Sequence, residues 1–254
     1  MQYGFVYWLR NLLGLIFKIT ALAALTAITL GSAKGQDQRD VIRIVVPDYP
    51  PYVFKQNAKW QGETFQQIQL ILDKLDLSYQ LIPAANFGKA FDLLKSNQGD
   101  LVLLASENEF RNQYAVFSAP VACVQWNWYL QLDNPYLPEQ VEFRQKYVIA
   151  SPHDSNQYVW LKQHNYKVEG VMKLANMAKM MAAKRINAVM VNQAVFENAA
   201  NVSQVDLNQF KVVKHSARAA AMYVSKTFLK RHPNFMDELN QSIKNNQHNP
   251  VCTD

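Results

Sequence analysis

The chain has 254 residues, 49% of them hydrophobic and 18% charged, with only 8 glycines. That is an ordinary globular balance, enough for one large domain or two lobes, and it excludes collagen-like and low-complexity chains. The formal charge of +6 is spread along the chain without a dense Lys/Arg block, which excludes a nucleic-acid footprint.

The N-terminus reads as an export signal. Arg10 and Lys18 precede the apolar run 19-ITALAALTAITLGSA-33, whose Gly31-Ser32-Ala33 ending fits cleavage after Ala33. No Cys follows the run, so no lipid anchor is expected there. An uncleaved anchor is the competing reading, although residues 19–31 alone are too short to span a bilayer.

A strand follows at 41-VIRIVVP-47, then the turn 48-DYPPYVF-54, where two prolines forbid a helix. After Gly62, the apolar spacing of 63-ETFQQIQLILDKLDL-77 predicts a helix. A strand at 79–83, a helix at 87–96 and a strand at 100-DLVLLA-105 complete a β-α-β-α-β order, which implies a parallel sheet. The extended run 121–132 comes next, with a break at 133-DNPYLP-138. A second alternation places strands at 146–150 and 187–191 and helices at 155–163, 173–185 and 193–200. Residues 219–226 are extended. A closing helix over 227–246 has a new start at His232-Pro233.

Two α/β lobes in succession result, with the last helix returning to the first lobe. The expected division is 1–33 signal, 34–121 first lobe, 122–214 second lobe, 215–254 return to the first. The lobes cross near 119–124 and 214–220. A ligand in such a fold sits at the carboxyl ends of the strands. The turns there are Asp48–Tyr52, Ser106–Arg111, Ser151–Asn156 and Asn192. Trp126 and Trp128 are expected to pack in a core, whereas Tyr52, directly after the first strand, is the aromatic residue expected at the crevice.

His153, His164, His215, His232 and His248 have no paired ligand spacing, so no metal or other cofactor is expected and these residues read as surface or capping groups. Cys123 and Cys252 are the only cysteines. After export they form either one bridge or two buried thiols. If the last helix packs on the first lobe, its tail reaches the crossing beside Cys123.

In order along the chain, 45-VVPDYPPYVF-54, 98-QGDLVLLASENEFRNQYAVFSAP-120, 147-YVIASPHDS-155, 187-NAVMVN-192 and 222-MYVSK-226 resemble the family 3 extracellular solute-binding proteins, the amino-acid-type receptors of bacterial ABC importers. The resemblance implies a two-lobe α/β periplasmic-binding-protein fold (type II) with the ligand cleft between the lobes. It implies a monomer that is not an enzyme, with a small carboxylate or amino-acid-like ligand and an inner-membrane ABC permease or a sensor as partner.

The resemblance places Arg111 on the ligand carboxylate, where a planar guanidinium gives two-point pairing that Lys cannot. Ala105 and Ser106 end the preceding strand, and the Ser106 hydroxyl supports the same group. From the residues alone, a surface Arg111 paired with Glu107 or Glu109 stands beside that reading. Asp48 matches an acidic position near the ligand amine. Asn192 stands where the family carries Asp, so ammonium binding is weakened and ligands without one are tolerated. The loop 152-PHDSN-156 replaces a Gly-Thr/Ser loop. Asp154 and Ser155 fall at ligand positions there, with Asp154 as a helix cap the competing reading. An enzyme on the same fold would need His153 and Asp154 as its acid–base pair.

Overall fold

The computed structural model describes residues 41–246 and Cys252. The expected signal segment lies outside the described residues, as does the tail apart from Cys252.

β1 (Ile42–Pro47), β4 (Tyr79–Ala84) and β5 (Leu101–Ser106) pair in parallel, with β1 central. The β-branched and leucyl side chains of β1 and β5 are buried because helices cover the sheet, whereas those of the edge strand β4 are half-buried. Those helices are α1 (Glu63–Asp73) and α2 (Phe87–Lys95). α1 starts at Gly62, whose φ of 119° is open only to glycine; the Tyr52 carbonyl fills the space a side chain would need. α2 is capped by Asn86, whose side chain accepts from Lys89 N. A short hairpin, β2 (Phe54–Gln56) and β3 (Lys59–Gln61), lies between β1 and α1 and turns on Asn57 and Ala58, both at positive φ.

After β5 comes one turn of helix, α3 (Glu109–Asn112), and then β6 (Ala115–Gln131), 17 residues without interruption. The second half contains α4 (Val141–Lys146), β7 (Val148–Pro152), α5 (Asn156–Gln163), β8 (Lys167–Val171), α6 (Met177–Ala182), β9 (Ala188–Asn192) and α7 (Gln193–Ser203). β10 (Phe210–Ser225) then runs back along the whole of β6, antiparallel, and is followed by α8 (Lys226–Arg231) and α9 (Phe235–Asn246).

All strands but the hairpin form one eight-stranded sheet in the order β4-β1-β5-β10-β6-β9-β7-β8. β10 joins the first half through β5, and β6 joins the second through β9 at Trp126–Leu130. The two connections are therefore continuous strands rather than loops. α9 packs on the first half, where Asn240 accepts from Ala119 N and Ser242 donates to the Ile71 carbonyl. Cys123 and Cys252 are bridged, with Cα atoms 5.3 Å apart.

The sequence reading needs correcting in several places. The helix expected at 173–185 is a 3-10 turn, Leu174–Asn176, and then only α6. The new start expected at His232-Pro233 is borne out: the closing stretch is two helices, α8 and α9, that part there. His215 is not a surface residue. It packs among Trp126, Trp128 and Trp160 with ring centroids 4.6–6.3 Å away, and burial lowers its pKa. Trp126 and Trp128 do lie in the core, 3% and 1% exposed. Among the described residues no helix is long and apolar enough to cross a membrane.

Candidate functional site

β5 carries a kink near its end. Leu104 takes a left-handed φ of 50°, opposite a register shift between Ala221 and Tyr223 on β10. Such a bulge re-aims the end of a strand. Beyond it, α3 is held by Tyr223 of β10. The Tyr223 hydroxyl accepts from Asn108 N and donates to Asn112 Oδ1, both at 2.9 Å. Asn108 caps the helix by accepting from Phe110 N. Both ends of a single helical turn are thus fixed, and so is the side chain between them.

That side chain is Arg111, only 6% exposed. Its guanidinium lies 4.1 Å from the ring of Phe91 and 5.7 Å from that of Phe87. Nη1 donates to the Ser106 carbonyl at 3.1 Å, the single hydrogen bond it makes among the described residues. The surface-pair reading is excluded, since the side chain is buried and Glu107 instead accepts from Asn112. Burial without a counter-ion pushes the Arg111 pKa down to about 10. The aromatic faces offset part of that cost, by about 1–2 kcal/mol.

Arg111 opens into a cavity of about 20 Å³ between the two halves. Ser106, Tyr49, Asn156, Gln157 and Asn192 supply the other polar walls, and Phe87, Leu104 and Val124 the apolar ones. Each of the four strand-end turns thus contributes a residue. Asn156, the first residue of α5, ties the halves together. Its Oδ1 accepts from Asn108 at 2.6 Å, and its Nδ2 donates to Ser106 Oγ at 3.0 Å and to the Glu107 carbonyl at 2.7 Å. On its other side Asn156 lines an open groove of about 530 Å³ with Phe110, Trp126, Trp160 and Arg218. It therefore stands as the partition between cavity and groove.

Gln157, 3% exposed, donates through Nε2 to Asn192 Oδ1 at 2.8 Å. It also hydrogen-bonds the Tyr49 hydroxyl, whose pKa burial raises. Tyr49 packs edge-on against Phe87, with centroids 5.0 Å apart.

Of the residues singled out in the sequence, Ser106, Arg111 and Asn192 line this cavity. Ala105 is buried in β5 behind it. Tyr52 does not line it. It stacks on the outer side of Tyr49 at 6.0 Å, and burial pushes its pKa up to about 12. Asp48 is exposed at the end of β1 and also lies outside the lining. Asp154 is not the helix cap; that role belongs to the buried Ser155, whose Oγ accepts from Tyr158 N. Asp154 instead sits at a φ of 55° in the turn, with its carboxylate over Gly88 and 2.9 Å from His153 Nδ1. Neither His153 nor Asp154 lines the cavity. Tyr49 and Asn156 fell within the expected turns but were not chosen as ligand residues, and Gln157 was not singled out. Asn156 and Gln157 carry no charge to mark them, and the one available signal was their place at the start of α5, directly after β7.

No family model matches the sequence, and no curated protein matches it. Solved structures do. A histidine kinase sensor domain with similarity to periplasmic binding proteins aligns with a TM-score of 0.69 at 19% identity, over 82% of this chain and 91% of that one. The holo form of ArgBP from T. maritima aligns at 0.66 and 15% identity, over 82% and 92%. The ancestral amino acid-binding protein AncCDT-1, a precursor of cyclohexadienyl dehydratase, aligns at 0.65 and 16%, over 82% and 89%. The fold is the two-lobe, α/β periplasmic-binding-protein fold.

Proposed function

We propose that the protein is an exported receptor that captures a small carboxylate-bearing solute, an amino acid or a related organic acid, by closing two lobes on it. The observation that carries this is Arg111: a buried cation facing a cavity between the halves, with no acidic partner among the described residues. An unpaired buried charge is costly and is relieved by an anionic ligand that the fork can grip at two points.

The lobes in this reading are 34–121 with 215–254 and, between them, 122–214. Arg111 and Ser106 hold the carboxylate from one side, and Asn156, Gln157 and Asn192 close over it from the other. The Cys123–Cys252 bridge supports an oxidising compartment such as the periplasm, where delivery to an ABC permease follows capture.

A second reading makes the same capture a sensing event relayed to a separate regulator. The similarity to a histidine kinase sensor domain favours it. An enzyme on this fold is the least supported reading, because His153 and Asp154, the acid–base pair the sequence offers, lie outside the cavity lining.

Thermal denaturation against a panel of carboxylic acids, amino acids and their amides tests the core of the proposal. At least one carboxylate should raise the melting temperature of the native chain and leave Arg111→Ala unmoved. Equal shifts from acids and their neutral amides would overturn it.

A further inference from the structure

We propose that the site selects a short 2-oxo or 2-hydroxy carboxylate over the matching 2-amino acid, with Asn192 making the choice. This rests on the reading of Arg111 as a carboxylate anchor and concerns the substituent next to that carboxylate.

The cavity lining contains one charged side chain, and it is positive. Ser106, Tyr49, Asn156, Gln157 and Asn192 are all neutral. An ammonium brought in beside Arg111 would lose its water and meet a like charge instead of a carboxylate.

Hydrogen-bond direction sharpens the point. Asn192 is 5% exposed, and its Oδ1 already accepts from Gln157 Nε2. The Gln157 amide is in turn held by the Tyr49 hydroxyl. What Asn192 has left is its Nδ2, which has no acceptor among the described residues. An amide N–H₂ offered to a ligand calls for an oxygen acceptor, which a keto or hydroxyl group supplies and an ammonium does not. Leaving that donor unpaired on closure is penalised, which is why sites built around one polar group reject the analogue lacking it.

The size limit comes from the walls. With Phe87, Leu104 and Val124 in place, the closed cavity of about 20 Å³ holds little more than a water. A short acid needs only a small parting of the halves, whereas a long side chain would have to displace Asn156 from its bonds to Ser106 and Glu107.

Calorimetric titration of the native chain with matched sets decides it: pyruvate, lactate, alanine and propionate, then their four-carbon counterparts. The oxo or hydroxy member should bind at least tenfold tighter than the amino member, and tighter than the unsubstituted acid. Asn192→Asp should reverse the order between oxo and amino acids. Alanine or 2-aminobutyrate binding the native chain as tightly as its oxo partner would overturn the selection while leaving the anchor standing. Absence of binding by every acid and amino acid in the sets would overturn the anchor and the selection together. If Asn192→Asp does not fold, the ratios measured on the native chain decide alone.

Discussion

The two walls of the cavity are built on different principles. The first-half wall carries charge: Arg111, fixed on one helical turn by Tyr223 and stacked on Phe91. The second-half wall carries none: Asn156, Gln157 and Asn192 are amides whose partners are other side chains and backbone carbonyls. A wall with a preset charge can hold an anion before the halves meet. A wall of amides adds only neutral hydrogen bonds, about 1 kcal/mol each, and these depend on where oxygen and nitrogen lie. On the proposed reading, affinity would come mainly from one half and discrimination from the other, with closure as the step that joins them.

If the division holds, the largest effect comes from the charged wall. Arg111→Lys keeps the charge but loses the fork, and carboxylate affinity should fall about a hundredfold (~3 kcal/mol) by calorimetry. An unchanged dissociation constant would break the comparison. The same side chain sets the pH response. With a pKa of about 10 when unliganded, Arg111 stays protonated through neutrality. Affinity should be level across neutral pH and drop as pH rises through about 10 and the cation is lost. A profile that instead tracks a group near neutrality would place the anchor elsewhere.

Changes to the amide wall should be milder. Asn156→Ala removes three bonds across the cleft and should cost about tenfold in affinity (~1.4 kcal/mol). The unliganded protein should also become more open, with a larger radius of gyration in small-angle scattering. The same radius as the native chain would show that Asn156 does not latch the halves.

The smallest effect separates the halves by their response to acid. Packed against Trp126, Trp128 and Trp160 of the second half, His215 is held by burial below its ordinary value near 6.5. The unfolded chain therefore protonates first, and the stability of the neutral ring is complete above about 6.5 and drains as pH falls below it. In the first half, burial works against Asp100, but hydrogen bonds and charge from Arg43, with Arg231 beyond, hold its carboxyl below 3.8. That contribution survives until pH falls through the depressed value. Fluorescence from Trp126, Trp128 and Trp160, which surround His215, should change on acidification before the far-ultraviolet circular dichroism does. Coincident transitions would mean the halves unload together.

The strands were legible where they are buried on both faces. Residues 41–47, 100–105 and 187–191 are near-continuous apolar runs, and each became a strand. β6 was harder to read because Ser118-Ala119-Pro120 looks like a terminator. The strand tolerates Pro120 where its pairing with β10 slips a register between Ala220 and Ala221. The hairpin at 54–61 has Asn57-Ala58 at its turn, and Ala at positive φ leaves no turn signature. At the site, residue type and position alone left Arg111 open between a surface ion pair and a ligand anchor, and only the family resemblance pointed to the anchor. Choosing Tyr49 over Tyr52 required knowing which ring meets Phe87, a tertiary contact. Asp154 read as a cap because it precedes a helix, but a left-handed turn at Asp154 moved that duty one residue on, to Ser155.

The bridge between Cys123 and Cys252 has a topological consequence. It closes a covalent ring that begins on β6 and takes in the entire second half, β10 and the last two helices, with 129 positions separating its ends. A protease that cuts once inside the ring, at an exposed turn such as Asp133–Pro138, opens the loop and releases nothing, and a denaturing gel shows one full-size band until a reductant is added. A cut before Cys123, for instance at the β2–β3 turn, splits the chain at once. The molecule thus has a protected arc and an unprotected one, and the boundary between them falls on the strand that joins its halves.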